Sequence, residues 1–235
     1  MSQPLISVLM PVYNAQRFVA QAVESVLSQS FCDFEFIIID DGSTDDSLRI
    51  LQEFAARDSR ILLRSRANTG IAAAMNEGLM LAQGRYIARM DADDVCRQTR
   101  FEKQLAFLEN NPLYVVVGSY AEYMDMEGWP IYVVHRPTEH EAIDAMHLRG
   151  IGAAIINPTA MFRTDAVRQV GEYRSDFTPA DDFDFFLRLA EVGRLANLPE
   201  VLLNYRFNMT SISFSQMEIQ SRNAQSALGL SLIHI

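Results

Sequence analysis

The stretch LISVLMPV at residues 5–12 is almost continuously apolar. Such a run is typical of a strand that is buried on both faces, as the strands of parallel sheets are. Residues 16–29 follow with apolar side chains at helical spacing, and FEFIII at residues 34–39 predicts a second strand. A strand, a helix and another strand in this order predict two parallel strands joined by a right-handed crossover.

The same alternation of helix and strand continues to residue 90. It predicts a helix over 44–57, a strand over 61–65, a helix over 71–82 and a strand over 85–90. Ser43 or Thr44 is expected to be the N-cap of the first of these two helices. The fold class that follows is α/β, with a mostly parallel sheet and helices on both of its faces.

The second half of the chain is less regular. It predicts helices over 98–110, 137–148 and 183–193, and strands over 114–120, at the end of 126–134, and over 199–207. Thr138 and Glu141 form a capping-box pattern at the start of the second of these helices. Because neither a repeat nor a linker interrupts the chain, we expect these elements to complete the same sheet.

Composition and charge exclude several classes of function. The 235 residues carry a formal net charge of −10, which repels nucleic acid and anionic lipid. Cys32 and Cys96 lack metal-ligand spacing, the N-terminus lacks the features of a signal peptide, and no apolar run approaches the roughly 18 residues that span a bilayer. We therefore expect a cytoplasmic protein whose anionic ligands, if any, require a metal ion or a helix N-terminus.

Polar residues follow each of the four predicted parallel strands. The strand ends carry PVYN (11–14), DDGS (40–43), RANTG (66–70) and DADD (91–94). Ligands of such sheets bind in the crevice outside the carboxyl ends of the strands. These four segments are therefore expected to converge on one site.

The acidic residues of DADD suggest a cation. Two carboxylates 4 Å apart repel by roughly 4 kcal/mol at an effective dielectric near 20, and a divalent ion reverses that cost. Mg²⁺ and Mn²⁺ prefer oxygen ligands, and Mg²⁺ takes one or two carboxylates while phosphate oxygens and water complete its shell. The alternative for Asp91 and Asp93 is a solvated turn that caps the helix behind it.

Two other strand ends offer groups for a nucleotide. Asp40 and Asp41 are placed where acidic residues of other nucleotide crevices accept hydrogen bonds from a ribose or a base. Tyr13 follows the rigid Pro11 and offers a flat ring on which a base could stack. The alternatives are an ordinary turn for the aspartates and a core position for the tyrosine.

Four blocks in this order resemble the family 2 glycosyltransferases, which have the GT-A fold. The blocks are SVLMPVYNAQRFVAQAVESVLSQSF (7–31), IIIDDGSTDDS (37–47), NTGIAAAMNEGLMLAQGRYIARMDADD (68–94) and PADDFDFFLRLAEVG (179–193). The resemblance implies a GT-A, Rossmann-like nucleotide-binding sheet with a smaller acceptor-side region. It also implies a Mn²⁺- or Mg²⁺-dependent transfer of a sugar from a nucleotide-sugar, with a UDP-sugar as the expected donor and inversion as the expected outcome.

The resemblance also implies a role for each matching residue. The implied roles are the uracil-side wall for Pro11 and Tyr13, a bond to the base for Asp41, the ribose side for Asp91, the metal ligand for Asp93 and the catalytic base for Asp182. Asp181 is the second candidate for the base and is otherwise substrate-binding, as are Asn14 and Asn76. A carboxylate that is not bound to metal suits the base role, because it remains free to accept the proton of the acceptor hydroxyl.

Two positions depart from the family pattern. Met75 stands where many relatives have an arginine, so a diphosphate contact would be absent or supplied by Arg64, Arg66 or Arg89. Asn208 stands where relatives often have a histidine that contacts metal or diphosphate. The Q-x-x-R-W signature of processive synthases is also missing from the sequence, so single additions are expected.

The resemblance divides the chain into two functional halves. Residues 1–95 would bind the nucleotide-sugar, residues 96–225 would bind the acceptor, and residues 226–235 form a tail of uncertain origin. The expected acceptor is a saccharide or a lipid-linked saccharide of bacterial polysaccharide assembly, with peripheral association at the inner membrane face in the second case.

Two other functions remain open from the sequence. MDADDV also satisfies the D-x-D-x-[T/V] pattern of haloacid-dehalogenase-like phosphohydrolases, although the motif follows the fourth strand and not the first. The other is a nucleotide-sugar-binding module without activity, given the residues at 75 and 208. Stabilisation by UDP that depends on Mn²⁺ favours either the transferase or the module over the phosphohydrolase.

Overall fold

The computed structural model describes residues 3–152, 154–207 and 217–233. The first half alternates between strand and helix. Its elements are β1 (Ile6–Val12), α1 (Val19–Leu27), β2 (Phe34–Asp40), α2 (Ser47–Ala55), β3 (Ile61–Ser65), α3 (Ile71–Leu81) and β4 (Tyr86–Arg89). All seven predicted elements are present. The strands β1, β2 and β4 are buried along nearly their whole length, which explains their continuous apolar runs.

The second half completes the sheet. Its elements are β5 (Val95–Cys96), α4 (Arg100–Asn110), β6 (Tyr114–Met124), β7 (Pro130–Val134), α5 (His140–Leu148), β8 (Met161–Arg163), α6 (Thr164–Val170), α7 (Asp181–Val192), β9 (Arg194–Arg206) and α8 (Met217–Ile233). The sequence did not predict β5, β8, α6 or α8. The helix α8 includes part of the predicted tail, and its residues Ala224 and Ala227 are buried beside Phe183 and Leu187 of α7.

The strands form one nine-stranded sheet in the order β3-β2-β1-β4-β8-β6-β9-β5, with β7 paired to β6. The strands β1 to β4 are mutually parallel, and β6 is parallel to β9. The short strand β8 is antiparallel to both of its neighbours, β4 and β6. The prediction of a mostly parallel α/β sheet is confirmed, with β8 as the antiparallel link between its two halves.

Helices cover both faces of the sheet. The helices α1, α2 and α4 pack on one face, in the same cluster as Val8 and Phe36. The helices α3, α5, α6 and α7 pack on the other face, in the same cluster as Leu9 and Ile37. Because neighbouring residues of one strand point to opposite faces, Val8 and Leu9 fall into different cores.

Both predicted helix caps are wrong. The helix α2 begins at Ser47, and Asp46 is its N-cap residue. Ser43 accepts a hydrogen bond from the Asn14 N–H, and the Thr44 N–H donates to the Asn14 side chain, so both residues bind the loop after β1. The helix α5 begins at His140, and Glu141 forms an ion pair with Arg194 and not a capping box with Thr138.

In the part of the chain that the structure describes, no helix combines the length and the apolar character needed to cross a bilayer.

Candidate active site

A cavity of about 970 Å³ opens at the carboxyl ends of β1, β2 and β4. Eight of the nine predicted site residues line it: Pro11, Tyr13, Asn14, Asp41, Asp91, Asp93, Asp181 and Asp182. A second cavity of about 260 Å³, between α6, α7 and α8, is lined by none of them. The topology therefore brings together residues that lie up to 171 positions apart in the sequence, as expected for the crevice of a parallel sheet.

The loop after β1 presents Tyr13 to the cavity. The Tyr13 side chain is 53% exposed, so its ring is free to stack on a planar ligand. Asn14 adopts a positive φ of 50°, a conformation that asparagine tolerates better than most residues. Its side-chain oxygen accepts a hydrogen bond from the Thr44 N–H at 2.8 Å. Asn14 thus fixes the turn that carries Tyr13.

Asp41 holds the loop between β3 and α3. Its carboxylate accepts hydrogen bonds from Arg66 Nε at 3.0 Å, from the Thr69 N–H at 3.1 Å and from the Gly70 N–H at 2.8 Å. The next residue, Gly42, has a φ of 75°, and a Cβ there would lie 2.7 Å from a backbone nitrogen of the same loop. Asp41 is 4% exposed and reaches the cavity with most of its bonding capacity already used.

Arg89 is a buried cation on the cavity wall. Its Nη1 forms an ion pair with Asp91, while its Nε is buried without a partner among the described residues. Burial opposes the charged form of Arg89 most strongly, but the combined interactions with Asp91, Tyr173 and Asp182 outweigh burial, and the pKa of the guanidinium is raised. Arg89 also interacts electrostatically with Asp182. Of the three arginines considered as substitutes at position 75, it is the one that lines the cavity.

Arg100 fixes the end of β4 from the other face of the sheet. It is the largest fully buried side chain in the described residues. Its Nη2 donates to the Arg89 carbonyl at 2.8 Å, and its Nε donates to Gln104 at 3.0 Å. Sequence reasoning missed this residue. The sequence signal was a pair of polar residues, Arg100 and Gln104, spaced four positions apart beside the apolar Phe101 and Leu105 of α4.

The loop after β4 concentrates negative charge. Burial, followed by the nearby Asp91 carboxylate, raises the pKa of Asp93 to about 6. Burial, followed by repulsion from Asp93, raises the pKa of Asp94 well above its ordinary value. One carboxylate oxygen of Asp94 accepts the Arg206 N–H at 2.8 Å, and the other is buried without a partner in the described chain.

Arg206, at the end of β9, holds this loop in place. Its Nε donates to the Asp93 carbonyl at 2.8 Å, and its Nη1 donates to the Asp125 and Met126 carbonyls at 3.0 and 3.1 Å. Its guanidinium lies 4.4 Å from the centre of the Phe18 ring. Sequence reasoning missed Arg206, because its partners come from three distant segments. The sequence signal was a charged residue at the end of the predicted strand, directly after Tyr205.

The first turn of α7 carries the second acidic group. Asp182 accepts a hydrogen bond from the Phe183 N–H at 2.8 Å. Burial, followed by the neighbouring Asp181 carboxylate, raises the pKa of Asp182 to about 7. Burial also raises the pKa of Asp181. Asp184 differs from both, because its carboxylate forms an ion pair with Arg188 at 2.8 Å. Asp184 thereby orients Arg188, which donates to the Val170 and Glu172 carbonyls at the end of α6 and just after it.

Asn76 does not reach the cavity. Its amide nitrogen donates to the Tyr173 carbonyl at 2.9 Å, and its amide oxygen accepts the Tyr173 N–H at 2.8 Å. Both ends of the side chain are therefore used to hold α3 against the segment before α7. Met75 is 2% exposed and packs in the core. Asn208 lies outside the described residues.

The residues at the cavity fit a divalent ion that completes its shell from a ligand. In the described residues no three His, Cys, Asp or Glu side chains gather into a metal-binding group. The Asp93 carboxylate accepts no hydrogen bond from any other described residue, and one Asp94 oxygen is buried without a partner in the described chain. One or two carboxylates with open positions are the donor set that Mg²⁺ uses beside phosphate oxygens.

Comparisons with known proteins identify the family of the chain. The family model described as "Glycosyl transferase family 2" matches residues 7–171. The chain is 39% identical over 210 residues to the putative glycosyltransferase EpsE of Bacillus subtilis (strain 168), a match that covers 87% of this chain and 74% of that protein.

Solved structures share the fold. The crystal structure of S. aureus TarS 1-349 in complex with UDP-GlcNAc has a TM-score of 0.78 and 16% identity, over 97% of this chain and 66% of that chain. The mannosyltransferase PcManGT from Pyrobaculum calidifontis, in complex with GDP-Man and Mn²⁺, has a TM-score of 0.72 and 18% identity, over 100% of this chain and 66% of that chain. The chain thus spans about two thirds of the length of each solved chain.

Proposed function

The chain belongs to glycosyltransferase family 2, and from this premise we propose that it moves a single sugar from a UDP-sugar to a hydroxyl acceptor with inversion. The observation that carries the proposal is the meeting of two acidic groups in one cavity, Asp91 with Asp93 from β4 and Asp181 with Asp182 from α7. Residues 1–95 would bind the donor, and residues 96–225 would bind the acceptor.

The donor-binding role rests on the groups that face the cavity from β1 and β2. The exposed Tyr13 ring offers a stacking surface for the base. The Asp41 carboxylate holds the surrounding loop, and a carboxylate has about four acceptor positions, so it can still accept one bond from a base N–H. The complex of TarS with UDP-GlcNAc supports the choice of a nucleotide-sugar as donor.

Asp93 is the residue that would hold the metal ion, with Mn²⁺ or Mg²⁺ as the ion. When bound, the cation would stabilise the negative charge of the departing diphosphate as a Lewis acid. Arg206 would keep the Asp93 backbone in place, and Arg89 would hold Asp91 beside it. The Mn²⁺ in the complex of the mannosyltransferase supports the choice of a divalent metal ion.

Asp182 would accept the proton of the attacking hydroxyl. A general base is most effective when its pKa lies near the working pH, and burial brings that of Asp182 to about 7. Attack from the side of the sugar opposite the diphosphate would invert the anomeric centre. Because Asp182 lies on α7 and Asp93 follows β4, the base and the metal ligand belong to separate segments.

A panel of nucleotide-sugars tests the proposal through released nucleoside diphosphate, with Mn²⁺, Mg²⁺ or EDTA present. We expect release with one donor and its abolition by EDTA. Binding of UDP and Mn²⁺ by calorimetry, run in parallel, separates an enzyme from a binding module. Binding without turnover of any donor would overturn the catalytic proposal, and absence of nucleotide binding would overturn the proposal as a whole.

A further inference from the structure

Three tyrosines form a continuous row across the acceptor half of the sheet. Tyr132 of β7 is the cross-strand partner of Tyr123 of β6, and Tyr123 is the partner of Tyr205 of β9. The ring centres of Tyr132 and Tyr123 are 5.1 Å apart, and those of Tyr123 and Tyr205 are 4.7 Å apart. We call these three residues the tyrosine row.

The tyrosine row begins in the active-site cavity and ends at the edge of the sheet. Tyr205 and Tyr123 line the cavity, together with Asp93 and Arg206. Tyr132 lies outside the cavity on β7, which pairs only with β6 among the described strands, and its side chain is 52% exposed. The row therefore joins the catalytic cavity to the open surface.

The hydroxyl groups of the row have no hydrogen-bond partner in the described part of the chain. Within the described residues, none of the three phenol hydroxyls forms a hydrogen bond with another side chain or with the backbone. Burial raises the pKa of both Tyr123 and Tyr205, so both hydroxyls keep their protons at neutral pH. The row offers rigid apolar rings together with three free donor and acceptor groups.

From this continuity we propose that the tyrosine row is a binding site for the saccharide chain of the acceptor, with the reacting unit in the cavity and a more distant unit on Tyr132. A saccharide matches the row, because sugar rings combine apolar C–H faces with hydroxyls that can pair with the phenols. The inference rests on the proposed function, since it assumes that the cavity holds the reacting unit.

Two other occupants fit the row less well. A lipid surface fits less well, because the chain's net charge of −10 repels anionic head groups. A second copy that paired with the free edge of β7 would cover both faces of that strand. It would therefore involve Ile131, which points to the opposite face from Tyr132 and is 53% exposed.

The test compares Tyr132→Ala with Ile131→Ala, a change at an equally exposed position on the same strand. Each full chain is loaded with UDP and Mn²⁺ and titrated calorimetrically with hexasaccharides and disaccharides of chitin, amylose, hyaluronan and chondroitin. We expect a hexasaccharide to bind the wild type and Ile131→Ala equally, and Tyr132→Ala roughly tenfold more weakly, while disaccharide binding is unchanged.

Each other outcome contradicts the inference. Absence of hexasaccharide binding to the wild type, or equal binding to Tyr132→Ala, overturns it. An equal loss in both variants, with a change in oligomeric state, indicates a second copy, and Tyr132-dependent binding to phosphatidylglycerol vesicles alone indicates a lipid surface. The titrations are also repeated without nucleotide. If the chain does not bind UDP, the proposed function fails, but saccharide binding to the row can still be measured and judged separately.

Discussion

The two sides of the cavity use their aspartates in different ways. On the β2 side, Asp41 receives three hydrogen bonds from the loop between β3 and α3, and its carboxylate is part of the fold. On the β4 and α7 side, Asp93 and Asp182 have few partners in the described chain, and burial raises the pKa of each. Under the proposed function, the difference separates an acid that stabilises the protein from acids that would bind a ligand or accept a proton.

The largest effect is expected from Asp182→Asn. An asparagine keeps the shape but cannot accept a proton, so transfer should fall by at least about a thousandfold, within the range of general base catalysis. Mn²⁺-dependent UDP binding should remain close to that of the wild type. Released nucleoside diphosphate and calorimetry measure the two quantities.

Asp165→Asn is the matched control. Asp165 also lies in the first turn of a helix and accepts the N–H of the following residue at 2.8 Å, but it is exposed and outside the cavity. This variant should keep full activity. Equal activity of Asp182→Asn and Asp165→Asn would mean that another residue, with Asp181 as the first candidate, is the base.

Asp41→Asn should show that the Asp41 carboxylate stabilises the fold. The amide places an N–H₂ group where the native carboxylate receives only donors, so at least one buried hydrogen bond to Arg66, Thr69 or Gly70 is lost. The free energy of unfolding should fall by about 3 kcal/mol, as measured by urea denaturation. Asp46→Asn, at an exposed ion pair with Arg49, should change it by less than about 0.5 kcal/mol. An unchanged stability of Asp41→Asn would remove the distinction between the two sides.

The strand ends could be predicted from the sequence because their positions depend on local pattern. Apolar runs that alternate with helical segments locate β1 to β4. The parallel topology then brings Tyr13, Asp41 and Asp91 to one edge of the sheet. The apolar pattern does not predict contacts between residues that are distant in the sequence. Arg206 is 113 residues from Asp93, and a two- or three-residue strand such as β5 or β8 has no periodicity to detect.

Asn76 and Ser43 illustrate the same limit. Asn76 lies within a predicted helix and Ser43 at a predicted helix start, and the sequence alone suggested a ligand contact for the first and a cap for the second. In the structure Asn76 binds the backbone of Tyr173, and Ser43 binds the backbone of Asn14. Which backbone group a polar side chain meets depends on packing between segments, and no local spacing encodes it.

The pH dependence of the free energy of unfolding should also distinguish Asp182 from the acids that stabilise the fold. The pKa of Asp182 is about 7 in the folded protein against an ordinary value of 3.8, so the folded state binds this proton more tightly than the unfolded state. The contribution of Asp182 to stability therefore declines as pH rises from about 4 to about 7. Asp182→Asn should be more stable than the wild type by about 2 kcal/mol or more at pH 8, because the wild type must ionise a carboxyl group whose charged form is disfavoured by burial and by Asp181, and asparagine carries no charge.

Urea denaturation in EDTA at pH 4 and pH 8 measures this difference. The two proteins should be equally stable at pH 4, where Asp182 is protonated in the folded state. Asp165→Asn should match the wild type at both values. A variant that is less stable than the wild type at pH 8 would place Asp182 with Asp41, among the acids that hold the fold.

The smallest effect is expected from Arg206→Lys, which tests how the ligand side is held in position. A lysine keeps the charge but cannot donate at once to Asp93, to Asp125 and Met126, and to Gln21, as the guanidinium does. Loss of this support should weaken Mn²⁺-dependent UDP binding about tenfold, as changes behind a metal ligand commonly do. Arg17→Lys is the control, because Arg17 also donates to the Met126 carbonyl but is largely exposed. If both variants bind UDP and Mn²⁺ equally well, the Asp93 loop holds its shape without Arg206, and the carboxylates on this side are positioned by β4 alone.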